Sequence, residues 1–137
     1  MKEIIKSRFL KYVAVDTQSD DSSQTFPSTE KQLVLLRMLR DELLSFGLTD
    51  VTMDEHGYVM ATLPANNGKQ GPAIGFVAHV DTSPDMPGND IKPRIIENYN
   101  GGDVVLNEGL NIVLSPADFP EMKQYTGQTL IVTDGTT

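Results

Sequence analysis

Two stretches of the chain place apolar residues at the spacing of an α-helix. In residues 2–13, and again up to about residue 46, apolar side chains recur every three or four positions, which puts them on one helix face. The second helix is predicted to begin with Ser28 or Thr29 as its N-cap and to run to about Phe46. Gly47 then suits the left-handed backbone that follows many helices. The two apolar stripes are Ile5, Phe9, Tyr12 and Val13 in the first helix, and Leu35, Leu36, Leu39, Leu43 and Phe46 in the second.

The pattern between and after the helices favours short strands. Residues 51–55 and 58–63 are predicted to form a hairpin that turns at His56-Gly57, because glycine accepts a positive φ. A polar link over residues 66–71 follows. The remaining predicted elements are short strands at 94–96 and 104–106, a short helix that opens at Ser115-Pro116 and ends near Gln124, and a buried strand at 130–132.

An uncharged apolar run from Ala73 to Ala78 has the length of a strand buried on both faces. It leads directly into His79-Val80-Asp81, and Thr82-Ser83-Pro84 then breaks the strand. Strands mixed with helices, with at least one strand free of charge, predict a layered α/β domain. Ligands of open α/β sheets gather at the carboxyl ends of the strands, so His79 and Asp81 are the first candidates for a site.

The spacing of His79 and Asp81 suits metal chemistry. Side chains two apart on a strand point to the same side. One imidazole nitrogen can then bind a metal while the other donates to a carboxylate, which fixes the tautomer and raises the basicity of the ligand. Asp81 could be that partner or a second ligand. From the three-residue pattern alone, a hydrogen-bonded histidine at a strand end and a turn-capping aspartate remain the favoured interpretation.

Two other groups of residues carry candidate chemistry. The polar segment 16–25 contains Asp16, Asp20 and Asp21, which could form a second carboxylate cluster, although a solvated loop of turn formers is favoured. His56 is the only other histidine; a metal role is open, but a position on the hairpin tip favours a turn residue.

Composition limits the classes of partner, the types of metal ligand and the expected location. The formal net charge is −8, which disfavours nucleic acid or an anionic membrane as partner. The chain has no cysteine, so disulfides and thiolate ligands are excluded and a metal would need nitrogen and oxygen donors. No apolar run approaches the roughly 18 residues of a membrane span, and the first residues do not form a signal peptide. We therefore expect a cytoplasmic protein.

The residues around His79 resemble a known family. Residues 76–85, Phe-Val-Ala-His-Val-Asp-Thr-Ser-Pro-Asp, resemble the metal-site segment of the co-catalytic di-zinc exopeptidases and deacylases. The continuation Thr82-Ser83-Pro84-Asp85 resembles the tripeptide aminopeptidases of that family. Further similar segments, in the same order, are 9–13, 16–20, 97–99, 101–103, 114–116, 127–131 and 133–135.

This resemblance implies a partial three-layer α/β/α sandwich with a mixed sheet. It implies a parent enzyme that removes the amino-terminal residue of tripeptides with two zinc ions. His79 would be a metal ligand, and Asp81 would take part in catalysis by orienting His79. The bridging aspartate, the general-base glutamate and further ligands would lie beyond Thr137, and Asp134 would belong to the turn before them. Residues 1–137 would then be an incomplete catalytic domain, without the family's inserted dimerisation domain.

Three alternatives follow for function. The parent is expected to be a homodimer acting on tripeptides, while residues 1–137 alone are expected to be inactive. Another substrate of the same family, a dipeptide or an N-acyl amino acid, stays open. The chain could also be a non-catalytic folded module that binds zinc weakly or not at all, since one histidine and one carboxylate make a poor chelate.

Because a buried strand without neighbours leaves open edges, we expect self-association of residues 1–137.

Overall fold

The computed structural model describes residues 1–69 and 71–137. Gln70, in the predicted polar link, lies outside the described residues. The elements are α1 (Lys2–Val13), α2 (Gln32–Ser45), β1 (Thr49–Met53), β2 (Val59–Thr62), β3 (Arg94–Ile96), β4 (Val104–Asn107), β5 (Ile112–Leu114), a 3₁₀ helix (Pro120–Tyr125) and β6 (Leu130–Val132). The chain divides into a helix–hairpin unit, Val15–Gly88, and a two-sheet unit, Met1–Ala14 with Asn89–Thr137.

The helix–hairpin unit packs α2 against the antiparallel pair β1–β2. Leu35 is its buried apolar residue on α2. The turn of the hairpin contacts the same helix, because a Cβ placed on Gly57 would lie 2.8 Å from Cδ1 of Leu36. Gly57 has a φ of +87° and Gly47 a φ of +73°, so both predicted glycine positions are confirmed. The hairpin is confirmed as well, although its strands are shifted by one or two residues.

The two-sheet unit contains two antiparallel ladders, β3–β6 and β4–β5. Its core is formed by the buried side chains of Tyr99, Val104 and Met122. The Tyr99 hydroxyl donates to the carbonyl of Gly102 at 2.6 Å, and its backbone N–H donates to the carbonyl of Gln128 at 2.9 Å. The buried hydroxyl is therefore satisfied by one backbone acceptor, the carbonyl of Gly102, and this bond closes the loop between β3 and β4.

The predicted buried strand at 73–78 is wrong for this structure. Among the described residues no strand pairs with this segment, and the exposed fractions of Ile74, Phe76 and Val77 are 80%, 95% and 99%. A strand is stabilised by hydrogen bonds from its neighbours and by side chains packed on its faces. An apolar sequence without such neighbours has neither, so the run forms no strand and its large apolar side chains stay exposed.

The start of α2 was predicted too early, whereas α1 has the predicted bounds. The first residue of α2 is Gln32 with Lys31 at the N-cap position, and neither Ser28 nor Thr29 caps it. The Thr29 hydroxyl instead donates to the carbonyl of Gln18 at 2.8 Å, and Ser28 Oγ accepts the N–H of Asp20 at 3.1 Å. These hydroxyls bind the preceding loop, so the chain enters the helix through an uncapped turn.

Other differences concern burial and helix type. No residue of α1 is buried, and Ile5 and Phe9 are exposed, so the first stripe does not form a core. Phe46, which directly follows the last residue of α2, is also exposed. Ser115-Pro116 opens a turn that leads into the 3₁₀ helix rather than an α-helix. The strand at 130–132 forms but is half-buried, since β3 covers one edge of it.

Taken as a class, the described chain combines helices with small antiparallel sheets. The only parallel pairing among the described residues is a single bridge between Gln18 and Thr82. That bridge lies just after the His79–Asp81 pair and ties it to the loop before α2.

Candidate metal centre

The structure brings the side chains of His79 and Asp81 together. Nδ1 of His79 lies 3.1 Å from Oδ1 of Asp81 and 2.9 Å from the backbone carbonyl oxygen of the same residue. The His79 side chain is 84% exposed and that of Asp81 48%. The pair therefore sits at the surface of the helix–hairpin unit, with both partners open to solvent.

The two acceptors determine the tautomer of the ring. A carbonyl oxygen and an ionised carboxylate can only accept, so Nδ1 must carry the proton of the neutral imidazole. Nε2 then has a free lone pair, and it has no hydrogen-bond partner among the residues that the structure describes. In proteins, zinc is commonly bound by the unprotonated nitrogen of an imidazole whose other nitrogen donates to a carboxylate.

The turn that follows Asp81 is tied to the loop at residues 16–20. The N–H of Thr82 donates to the carbonyl of Thr17 at 3.2 Å, and the N–H of Ser19 donates back to the carbonyl of Thr82 at 2.9 Å. The Ser19 hydroxyl also donates to that carbonyl, at 2.8 Å. Thr17 is buried with only 3% exposure. This two-way pairing holds the backbone immediately after Asp81.

Gln18 extends the same contact along the turn. Its Nε2 donates to the carbonyl of Pro84 at 3.0 Å and to the carbonyl of Met86 at 2.8 Å. Farther along, Gly88 packs against the loop so closely that a Cβ on it would lie 2.6 Å from Oδ1 of Asp16. The turn 82–88 is thus fixed to the loop at alternate residues.

Lys31 and Asp16 support Gln18 from the other side. The Lys31 ammonium donates to Oδ2 of Asp16 at 2.9 Å and to Oε1 of Gln18 at 3.4 Å. Desolvation raises the pKa of Asp16, but the N–H of Gln18 and the Lys31 ammonium together outweigh it and hold that pKa below its ordinary value. The ion pair with Asp16 therefore holds the Lys31 ammonium next to Gln18.

The structure does not gather the other acidic candidates into a cluster. The Asp20 carboxylate accepts the hydroxyl and the N–H of Ser22, and these two bonds lower its pKa. Asp21 is exposed. This is the turn-forming loop that the composition favoured. In the other unit, the Asp134 carboxylate accepts the hydroxyl and N–H of Thr136, which likewise lower its pKa.

His56 lies on the hairpin tip. Its ring meets the ring of Phe26 edge to face at a centroid distance of 6.4 Å, and its Nε2 lies 3.7 Å from Oε1 of Glu55. Within residues 1–69 and 71–137, no three histidine, aspartate or glutamate side chains are grouped closely enough to hold a metal ion. The described residues thus offer His79 as one well-prepared ligand rather than a complete site.

Sequence reasoning missed Gln18, Lys31 and Thr17. Gln18 contacts residues 66 and 68 positions away in the chain, and no local pattern reports so distant a contact. The nearest signal was the polar run at 16–25, whose side chains were interpreted as solvated.

Comparison with known proteins supports the family resemblance. The chain is 61% identical to peptidase T of Brevibacillus brevis over 137 residues, which are 100% of this chain and 33% of that protein. It is 59% identical to peptidase T of Bacillus velezensis over the same length and share. It is also 59% identical to peptidase T of Halothermothrix orenii over 133 residues, 97% of this chain.

The chain is similar to peptidase T over its full length. It spans about a third of the length of these curated relatives. No protein-family model matches it. Among the described residues, no helix is both long and apolar enough to cross a membrane.

Proposed function

We propose that this chain is part of a zinc-dependent tripeptide aminopeptidase, which releases the amino-terminal residue of tripeptides. The observation that carries the proposal is the identity of 57–61% to proteins named peptidase T over the whole chain. The exposed imidazole of His79, held by Asp81, supplies the chemical basis at the residues where the resemblance predicts a metal ligand.

In this proposal His79 would hold one of two zinc ions through Nε2. In the neutral ring, Asp81 would keep the proton on Nδ1, so that Nε2 presents its lone pair, and the negative charge would make the imidazole a stronger donor. The chemistry that bound zinc would supply is Lewis-acid polarisation of the scissile carbonyl and a lowered pKa of coordinated water. Asp81 thus acts on catalysis through His79.

The proposal extends to the architecture of the longer protein. Residues 1–137 would contribute to a three-layer α/β/α catalytic domain with a mixed sheet, in which 73–78 is an inner strand. The remaining ligands, the general base and an inserted dimerisation domain would come from other parts of that protein. A homodimer in the cytoplasm is the assembly and location we propose. The exposed apolar side chains of Ile74, Phe76 and Val77 support only the placement of 73–78 inside a larger domain, where other segments would cover them.

The proposal is tested by peptide cleavage. The longer protein and residues 1–137 alone are each loaded with zinc and incubated with di-, tri- and tetrapeptides whose amino termini are free or acetylated. We expect the longer protein to cleave tripeptides with a free amino terminus and residues 1–137 alone to be inactive. Preference for acetylated substrates or dipeptides would replace the proposal with another activity of the same family.

Zinc titration of residues 1–137 tests how complete a metal site these residues hold by themselves. Since the described residues bring together one imidazole and one carboxylate, we expect weak binding or none by calorimetry. Submicromolar affinity that disappears in His79→Ala would show that residues 1–137 hold a more complete site than we propose.

A further inference from the structure

The Gln18 side chain lies between two kinds of partner that together determine its orientation. On one side are the carbonyl oxygens of Pro84 and Met86, at 3.0 and 2.8 Å from Nε2. On the other side is the Lys31 ammonium, 3.4 Å from Oε1. Carbonyl oxygens only accept and an ammonium only donates, so a flipped carboxamide would be mismatched with all three of these atoms. The amide therefore has one orientation.

The contacts of Gln18 hold the turn that follows the His79–Asp81 pair. Thr82, Pro84 and Met86 are alternate residues that begin directly after Asp81, and each is bound to the loop 17–19 through the backbone or through Gln18. The segment on the other side of His79 offers no comparable support, since residues 73–78 pair with no described strand. The position of His79 and Asp81 thus depends on the contacts of the turn that follows them.

We infer that Gln18, oriented by Lys31, is a positioning residue for His79. By fixing the turn 82–86 it keeps Asp81 where its carboxylate and its carbonyl both accept from Nδ1, and so keeps Nε2 free for a metal. The relevance to zinc rests on the proposed function, whereas the control of the His79 tautomer does not. Lys31 acts indirectly. Its ammonium donates to Oε1 of Gln18 and to the carboxylate of Asp16 at the start of the loop.

The test uses variants that remove the two N–H donors. Gln18→Glu places oxygens against the carbonyls of Pro84 and Met86, and Gln18→Met removes the donors without adding charge. Gln24→Glu is the matched control, because Gln24 is exposed in the same loop and the charge change is the same. Circular dichroism and thermal unfolding establish that each variant is folded.

Two measurements on residues 1–137 decide the outcome. Long-range ¹H–¹⁵N correlation reports the tautomer of the neutral His79 ring. We expect Nδ1–H in the wild type and in Gln24→Glu, and a shift toward Nε2–H in both Gln18 variants. Amide exchange at Thr82 should be about tenfold faster in the Gln18 variants, as two hydrogen bonds that hold the turn are lost. A wild-type tautomer in either folded Gln18 variant would overturn the inference.

Lys31 supplies a rescue experiment. Lys31→Met should shift the tautomer in the same direction, and Lys31→Arg should restore Nδ1–H because its guanidinium also donates to Oε1 and Asp16. Equal spectra for the two Lys31 variants would contradict the role of Lys31. If the longer protein failed to cleave tripeptides while these tautomer changes appeared, the proposed function would fail and the positioning role would stand.

Discussion

Asp81 holds the imidazole of His79 with two acceptors from one residue, a carboxylate oxygen 3.1 Å from Nδ1 and a backbone oxygen 2.9 Å from it. The backbone acceptor survives every substitution at position 81, whereas the charged one does not. The orientation of the ring and the electrostatic tuning of the ring are therefore separable by mutation.

The first prediction uses that separation. In the longer protein, Asp81→Asn should lower kcat/KM for tripeptides about 10–100-fold, because a lost carboxylate partner weakens a histidine ligand by that order. Asp85→Asn is the control, since its carboxylate bonds only to Ser83 in the same turn among the described residues. Comparable losses in the two variants would argue against a specific role for Asp81.

The second prediction concerns the close approach of Gly88 to the loop. A Cβ at this position would lie 2.6 Å from Oδ1 of Asp16 and 3.0 Å from Cβ of Gln18, so Gly88→Ala should lower the free energy of unfolding by about 1–3 kcal/mol. Gly75→Ala meets no atom within 4 Å and should change it by less than about 0.5 kcal/mol. Urea denaturation measures both, and equal midpoints would be inconsistent with the packing described.

The third prediction concerns the contact between the hairpin turn and α2. Gly57 and Gly47 both have positive φ, so alanine at either should cost roughly 1–2 kcal/mol of unfolding free energy. Only Gly57→Ala also pushes a Cβ against Leu36 and Leu33, at 2.8 and 3.2 Å. It should therefore be the less stable variant by about a further 1 kcal/mol. A larger loss at Gly47, where nothing lies within 4 Å, would refute this contact.

The fourth prediction is a pH dependence from Asp16. Its pKa is lowered in the folded protein, so its ionisation stabilises the fold above the unfolded value of about 3.8. That stabilisation is lost as the pH falls below 3.8 and through the folded pKa. Asp16→Asn should therefore be less stable than the wild type at neutral pH, and the difference should shrink on acidification. The check is the unfolding free energy of both proteins across this range, and a difference independent of pH would rule it out.

The fifth prediction is self-association of residues 1–137. Phe76 and Val77 are 95% and 99% exposed on a segment that no described strand pairs with, so the same segment of a second copy can pair with it. Light scattering should show an apparent mass that rises with concentration. Val77→Lys should reduce that rise, because a charged side chain disfavours pairing, whereas Leu110→Lys in the two-sheet unit should not. A constant monomer mass would exclude this pairing.

The sequence predicted those elements whose signals are local. The stripe of α2 is completed within 14 residues, and Gly57 marks its hairpin by the φ that only glycine adopts freely. The approach of Asp81 to His79 also follows from a two-residue spacing. By contrast, Ser28 and Thr29 are residue types that favour the N-cap position, but their hydroxyls bind the loop instead. Ser28 accepts from the N–H of Asp20, and Thr29 donates to the carbonyl of Gln18.

By itself, the sequence determined the spacing of His79 and Asp81, the absence of thiolate ligands, and the likeness to peptidase T over the full chain. Tertiary structure alone decided that Gln18 and Lys31 support the turn after Asp81, and that the apolar run at 73–78 is uncovered. The physical reason is the range of the interactions. Helical periodicity and turn geometry act over a few residues, whereas strand pairing and buried hydrogen bonds depend on segments brought together from far along the chain.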